Sequence, residues 1–282
     1  MKKQNKTLVV DALNLAFRWK HQGKTVFKDS YIATVESLAS SYQCSNIIIT
    51  ADEGSSSYRK RILPEYKQNR KDKYAQQSEE EAQAFREFFT EYENTLLGLK
   101  EHYIVLRASK VEADDLAAYI VKHREKYNFG EIVLISSDKD WDLLVQDGVM
   151  RFSYVTRKEI TVDNWKDFYE VSRDQYACYK CLIGDKGDNI PGFTGIGPKR
   201  AASLLHEYGS AYNIYDSIPL AGKYKYIEEI NKNPDKILRN YELMDLLTHC
   251  EDAMGYELPN LVRRMEDYLS LIHISEPTRH ES

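Results

Sequence analysis

The strongest constraint on this chain is a recurrence of short apolar runs, each followed by carboxylates. Leu8-Val9-Val10 leads to Asp11, and Ile47-Ile48-Ile49 leads to Asp52. Tyr103-Ile104-Val105-Leu106 precedes Glu112, Asp114 and Asp115, and Ile132-Val133-Leu134-Ile135 precedes Asp138 and Asp140. Helical patterns fill the intervals, notably over Tyr31–Tyr42, Ser78–Lys100 and Glu112–Lys126. Strands alternating with helices predict βαβ units and an α/β fold with a parallel central sheet flanked by helices. The expected strands are Thr7–Val10, Asn46–Thr50, His102–Arg107 and Glu131–Ser136, with Val149–Tyr154 a weaker fifth.

In open α/β sheets, function gathers outside the carboxyl ends of the strands. If these runs are neighbouring parallel strands, their carboxylates converge on one small volume. Asp185 and Asp188, in Gly184-Asp185-Lys186-Gly187-Asp188, bring the acidic set to nine. Such a cluster repels itself and takes up protons unless cations neutralise it. Hard divalent ions suit oxygen ligands, and Mg²⁺ or Mn²⁺ suits carboxylate and water best. The expectation is a metal-dependent enzyme.

At 282 residues the chain has room for one large domain or two modest ones. No apolar run approaches the ~20 residues that cross a bilayer. The basic start leads into a short apolar stretch and then Asp11, unlike a secretory signal. Four cysteines fit a reduced protein, and a cytoplasmic location is expected, the host cytoplasm if the chain is of phage origin. Cys178 and Cys181 form a C-x-x-C, but no second ligand pair stands at zinc spacing, so both read as incidental residues on a helix.

A net charge of −5 hides an asymmetric distribution. Arg59 to Lys73 holds seven basic residues against Glu65 and Asp72, whereas Glu79 to Glu93 holds six acidic residues against Arg86. A basic run interleaved with Tyr66 and Tyr74 suits a segment that tracks phosphates and stacks on bases; a solvated helix with i,i+4 pairs is the equal alternative. Leu63 to Gln77 has weak periodicity and reads as an insertion. From Asp163 onward the pattern is helical, with no convincing strand. Leu269 to Ser282 continues no pattern and reads as a non-native tail.

Gly195-Ile196-Gly197-Pro198-Lys199-Arg200 is a second motif. Its glycines permit a tight turn and close approach, and Pro198 suits the first turn of a helix whose N-terminus attracts phosphate. Lys199 and Arg200 add charge. This is a helix–hairpin–helix-type element that would grip DNA backbone without reading bases.

Taken in order, Val10-Asp11-Ala12-Leu13-Asn14, Tyr66-Lys67-x-x-Arg70, Val111-Glu112-Ala113-Asp114-Asp115, Ser137-Asp138-Lys139-Asp140-Trp141-Asp142 and Gly184–Ala201 resemble the flap endonucleases and 5′-3′ exonucleases. These are the 5′-nucleases related to the 5′ domain of bacterial DNA polymerase I. Pro64-Glu65-Tyr66-Lys67 and Lys73-Tyr74-Ala75-Gln76 look most like the stand-alone bacteriophage members. The likeness covers roughly residues 7 to 265; Ala12 and Ala51 stand where the family often has glycine.

The resemblance implies a PIN-like 5′-nuclease core over 1–162, with a helical arch at about 63–100. It implies a mostly helical DNA-binding region over 163–268, with the hairpin motif at about 184–208, and leaves 269–282 as the tail. It implies a structure-specific enzyme, probing DNA with 5′ flaps, nicks or free 5′ ends, that works as a monomer. Two Mg²⁺ or Mn²⁺ ions are implied, with K⁺ at the hairpin. Asp11, Asp52, Glu112, Asp114, Asp115 and Asp138 would hold the first, and Asp138, Asp140, Asp185 and Asp188 the second. Lys67, Arg70 and Lys180 would contact the scissile phosphate. Tyr66 would stack on an unpaired base, and Gly195, Gly197, Lys199 and Arg200 would hold duplex.

Each residue also has a plainer reading. Glu112, Asp114 and Asp115 suit a helix N-terminus, and Asp185 and Asp188 suit turns beside glycine. Asp142 reads as a surface or helix-start residue. Two other functions compete: a non-catalytic DNA-junction binder, and a Mg²⁺-dependent phosphatase with strand-end aspartates. The first would have lost carboxylates, and none is missing. The second would carry Asp-x-Asp after its first strand, where Asp11 is followed by Ala12-Leu13.

Overall fold

The computed structural model describes residues 5–275. It opens with β1 (Lys6–Asp11), α1 (Ala12–His21), α2 (Lys28–Tyr42), β2 (Asn46–Thr50) and α3 (Ser57–Ile62). Next come α4 (Gln68–Ala75), α5 (Glu79–Lys100), β3 (Ile104–Leu106), α6 (Ala113–Lys122) and β4 (Glu131–Ile135). A 3₁₀ turn (Lys139–Leu144) leads to β5 (Val149–Ser153) and β6 (Lys158–Ile160). The remainder is α7 (Tyr176–Ile183), β7 (Gly184–Asp185), β8 (Ile190–Pro191), α8 (Pro198–Tyr208), α9 (Ala211–Asp216), α10 (Lys225–Lys232), α11 (Asp235–Met244), α12 (Leu246–Met254) and α13 (Leu258–Ser275).

The main sheet has the order β3-β2-β1-β4-β5-β6, parallel except for β6. From β1 the chain builds outward through β2 and β3, then returns to lay β4 against β1's other edge. That reversal is a topological switch point, where a crevice opens at the strands' carboxyl ends. Asp11 closes β1 there, with Thr50 of β2 as its register partner.

The strands read as continuous apolar runs because both faces are covered. Leu8, Val10, Ile49, Val133 and Ile135 pack with residues of α1, α2 and α5, including Trp19, Tyr31, Leu96 and Leu99. On the opposite face, Val9, Ile48, Ile132 and Leu134 pack with α6 and with Leu246, Cys250, Leu261 and Met265 of α12 and α13. Each large side chain buried this way contributes about 1.5–3 kcal/mol. A third cluster fills the helical region with Cys178, Cys181, Leu205, Ile214 and Ile230. Cys178 and Cys181 are thus free thiols inside a core.

The five expected strands form, the third shortened to three residues. α5 starts where a capping box predicts, with Ser78 and Glu81 bonding reciprocally. α6 stops at Lys122, short of the expected Lys126. The antiparallel β6 was not expected: it has three residues, two of them exposed, and its Ile160 alone gives no alternation to detect. The region after Asp163 does contain strands, the two-residue pair β7 and β8. There, Cβ atoms on Gly184 and Gly192 would fall 2.2 Å from Gly192 N and 2.1 Å from Ile183 O, so only glycine fits. α13 runs through Ser275 and so covers the start of the stretch expected to be a tail. Residues 276–282 of that stretch lie outside the described residues.

Candidate active site

Each carboxylate is placed by a local device. Asp11 leaves β1 and caps α1, accepting from Asn14 N at 3.1 Å. Asp52, just beyond β2, accepts from Ala113 N at the start of α6 at 2.6 Å. One residue on, Asp114 accepts from the indole N–H of Trp141 at 2.6 Å. Beyond β4, Ser136 ties two sites together: its hydroxyl donates to Asp11 at 2.7 Å and accepts from Asp138 N at 3.1 Å. Asp138 itself is exposed, and it caps the turn by accepting from Asp140 N at 3.0 Å. Asp185 accepts from Gly187 N and Asp188 N at 2.7 and 3.1 Å, which shapes the β7–β8 loop.

Two lysines bridge the carboxylates. Lys180 on α7 donates to Asp140 and, at 3.1 Å, to Asp185. Lys67 donates to Glu112 at 2.7 Å and stands 3.6 Å from Asp188. Tyr66 OH lies 2.9 Å from both Glu112 and Asp188, and Arg70 pairs with Asp188 at 2.6 Å. Two contacts to the backbone bind the foot of the arch to the same loop: Lys67 N donates to Asp188 O at 2.9 Å, and the Asn189 side-chain amide donates to Glu65 O at 2.7 Å.

The electrostatics divide the cluster. Burial, reinforced by the Asp52 charge, pushes Asp11 up to about 8. Burial with Glu112 raises Asp52, and burial with Asp138 raises Asp114 well above the carboxylate range. Burial works on Glu112 in the same direction, but Lys67 and Arg59 overcome it and hold that carboxyl at about 2. Lys180 likewise overcomes burial to lower Asp185. Glu112 and Asp185 are therefore neutralised by the chain's own cations, whereas Asp11, Asp52 and Asp114 crowd together with too little positive charge. An all-oxygen donor set in deficit of positive charge suits a hard divalent cation. Among the described residues, no three acidic, His or Cys side chains stand ready-made around an ion. Lys67 and Lys180 take up part of that coordination capacity.

Two expected roles change. Tyr66 is 2 % exposed and bonded at its hydroxyl, so its ring is buried and is not offered to a base; it links Glu112 to Asp188 instead. Asp115, fully buried, gives both oxygens to Arg59 at 2.7 and 2.8 Å, and so stands apart from the crowded trio. Arg59 was read only as part of a basic run. Asp142 is not on the surface but buried against Arg151. The sequence signal for both arginines is weak: Arg59 is one of three consecutive basic residues, and Arg151 is a single charge inside an apolar run.

At the hairpin, Gly195 adopts φ +82°, and Gly197 caps α8 with Pro198 in its first turn. Gly195, Gly197, Lys199 and Arg200 are all exposed. The Arg200 guanidinium donates back to Gly195 O and lies 5.1 Å from the Tyr226 ring, so it also braces the turn.

Comparison with known proteins matches this architecture. Residues 6–170 match the 5'-3' exonuclease N-terminal resolvase-like domain, and residues 171–267 match the 5'-3' exonuclease C-terminal SAM fold. The flap endonuclease of Escherichia phage T5 is 41% identical over 257 residues, which cover 90% of this chain and 88% of that protein. Flap endonuclease Xni of Shewanella woodyi is 28% identical, covering 86% and 94%. The crystal structure of T5 D15 protein with metal ions superposes with a TM-score of 0.88 at 39% identity, covering 95% and 99%. The D15 flap endonuclease in its pseudo-enzyme-product complex with DNA and metal ions gives 0.89 at 38%, covering 95% and 100%. Matched by both domains in order, from residue 6 to residue 267, the chain belongs to the 5′-3′ exonuclease family of hydrolytic nucleases.

Proposed function

We propose that the chain hydrolyses phosphodiester bonds in DNA carrying 5′ flaps, nicks or free 5′ ends, using two Mg²⁺ or Mn²⁺ ions. The observation that carries this reading is the convergence of Asp11, Asp52, Asp114 and Asp138 at the switch point of a parallel sheet, beside pairs bridged by Lys67 and Lys180. Asp11, Asp52, Glu112, Asp114 and Asp138 would hold the first ion, with Asp115 acting through Arg59. Asp138, Asp140, Asp185 and Asp188 would hold the second. When bound, such ions supply Lewis-acid charge at the scissile phosphate and lower the pKa of water.

The side chains supply the rest. With Asp140 and Glu112 turned to the ions, Lys180 and Lys67 would give up those contacts, and both ammonium groups would be free to meet a phosphate oxygen. Lys67 and Arg70, from the arch, and Lys180, from α7, thus approach the phosphate from two sides. Charge there stabilises the transition state more than the bound substrate. Gly195 to Arg200 would hold the duplex arm through its phosphates, with K⁺ at the turn. The enzyme would work as a monomer in the cytoplasm, the host's if it is of phage origin. Among the described residues, no helix is long and apolar enough to cross a membrane.

The test is digestion of end-labelled flap, nicked and blunt DNA in Mg²⁺ or EDTA. Mg²⁺-dependent release of 5′ fragments, greatest on flaps, is expected; binding without cleavage would leave a junction-binding protein. A protein block on the 5′ end should stop cleavage if the strand passes beneath the arch. Equal rates with free and blocked ends would reject threading. Light scattering checks the monomer, and replacing KCl with LiCl at fixed ionic strength checks K⁺.

A further inference from the structure

A buried ion pair outside the carboxylate cluster reaches the cluster's backbone. Arg151 lies in β5, in the apolar run Val149-Met150-Arg151-Phe152, and its side chain is 5 % exposed. Its guanidinium grips Asp142, fully buried, through two bonds: Nε to Oδ1, and Nη2 to Oδ2 at 2.9 Å. The remaining nitrogen, Nη1, donates to the backbone carbonyl of Ser136 at 2.9 Å. Ser136 is the residue whose hydroxyl joins Asp11 to the Asp138 backbone. Asp142 in turn accepts from the Tyr169 hydroxyl, and Tyr169 lies 3.4 Å, oxygen to oxygen, from Tyr176 at the start of α7. One turn further along α7 is Lys180.

We propose that Arg151, Asp142 and Tyr169 form a positioning network that fixes the 136–142 turn, and with it Asp11, Asp138 and Asp140, in the geometry needed to bind divalent ions. This rests on the nuclease reading above. The physical case is that a buried arginine must satisfy all its donors, and here the donors converge on one turn. The planar fork holds Asp142 and the Ser136 carbonyl in one fixed relation. Lysine, a point charge on a flexible stem, cannot reproduce that relation. Partners behind metal ligands typically change metal affinity 10–100-fold when they are removed. Because Tyr169 belongs to the segment that leads into α7, the same network ties the placement of Lys180 to the strand-end carboxylates. Arg151 and Asp142 are buried and Tyr169 is bonded to Asp142, so their effect passes through the ligands.

The test compares wild type with Arg151→Lys and with the milder Tyr169→Phe, which keeps the ring packing. Mn²⁺ binding is followed by the EPR signal of the free ion, without DNA. Flap affinity is measured in EDTA, cleavage is measured at saturating DNA across a Mg²⁺ series, and folding is checked by melting in EDTA. The expected result is Mn²⁺ affinity weakened 10–100-fold in Arg151→Lys and several-fold in Tyr169→Phe. The Mg²⁺ concentration for half-maximal cleavage should rise in step, with flap affinity in EDTA within twofold of wild type. If Arg151→Lys fails to fold, Tyr169→Phe decides alone. Unchanged Mn²⁺ binding in a folded variant, or a cleavage loss that follows flap affinity, would overturn the proposal. A wild type that binds flap DNA but does not cleave it in Mg²⁺ would instead overturn the nuclease reading, so the two failures are distinct.

Discussion

Asp11 shows how function strains the fold at a single residue. Its carboxyl sits in a buried cluster that raises it from 3.8 to about 8. A group whose folded pKa lies above its unfolded value favours the folded state most in its protonated form. That contribution is fully present below pH 3.8 and is lost as pH rises through about 8. In EDTA, the melting temperature should therefore fall between these limits, and Mg²⁺ should restore it far more at pH 8 than at pH 5. Asp11→Asn should melt higher than wild type in EDTA at pH 8. A lower melting temperature for that variant would show that Asp11 is stabilising in the metal-free protein. The acidic residues themselves were legible because turns after apolar runs name them. Their partners were not. Asp142 and Asp138 look alike in Asp138-Lys139-Asp140-Trp141-Asp142, and what separates them is Arg151, nine residues on and facing inward from a strand. The buried place of Tyr66 is hidden for a related reason: a tyrosine in a basic run is indistinguishable by sequence from one whose hydroxyl closes a buried network.

Among the elements, α4 and α8 carry the contacts to DNA in this account. α4 buries none of its residues, which explains its weak periodicity in the sequence. It is anchored at its foot by Lys67 and Arg70 on the Asp188 loop. Lys67→Ala should slow single-turnover cleavage at least tenfold while changing flap affinity less than threefold, because charge beside the scissile phosphate counts most as charge develops. A loss confined to affinity would remove Lys67 from the chemistry. In α8, replacing Lys199 and Arg200 by Ala should weaken binding alike on all sequences. Its salt dependence should fall by about 0.9 per lost phosphate contact on duplex DNA. An unchanged slope, measured by titration over a KCl series, would argue against backbone gripping. Because Arg200 also braces Gly195, its single variant should loosen the turn where that of Lys199 does not.

At the scale of the molecule, α12 and α13, the last helices among the described residues, are part of the core of the main sheet. Leu261 and Met265 of α13 pack in the same cluster as Val9 and Ile132, so the nuclease sheet lacks one cover without them. Met265→Ala should cost about 2–5 kcal/mol in chemical denaturation, with little effect on cleavage per folded molecule. A cost under about 0.5 kcal/mol, the scale of surface changes, would contradict that packing. The strands and their parallel sheet are readable because the alternation of strands with helices and the strand-end charge act locally; the order β3-β2-β1-β4-β5-β6 is not. The return of α12 and α13 to the sheet was not, since an amphipathic helix does not specify which surface it covers. The central claim is that the switch-point carboxylates do chemistry rather than hold structure. Asp138, exposed and shared between the two proposed ion sites, tests it most directly. Turnover of a labelled 5′ flap in saturating Mg²⁺ should fall at least about 100-fold in Asp138→Asn, the scale set by losing one transition-state contact, while flap affinity in EDTA stays within threefold. Near wild-type turnover by a folded Asp138→Asn protein would contradict it.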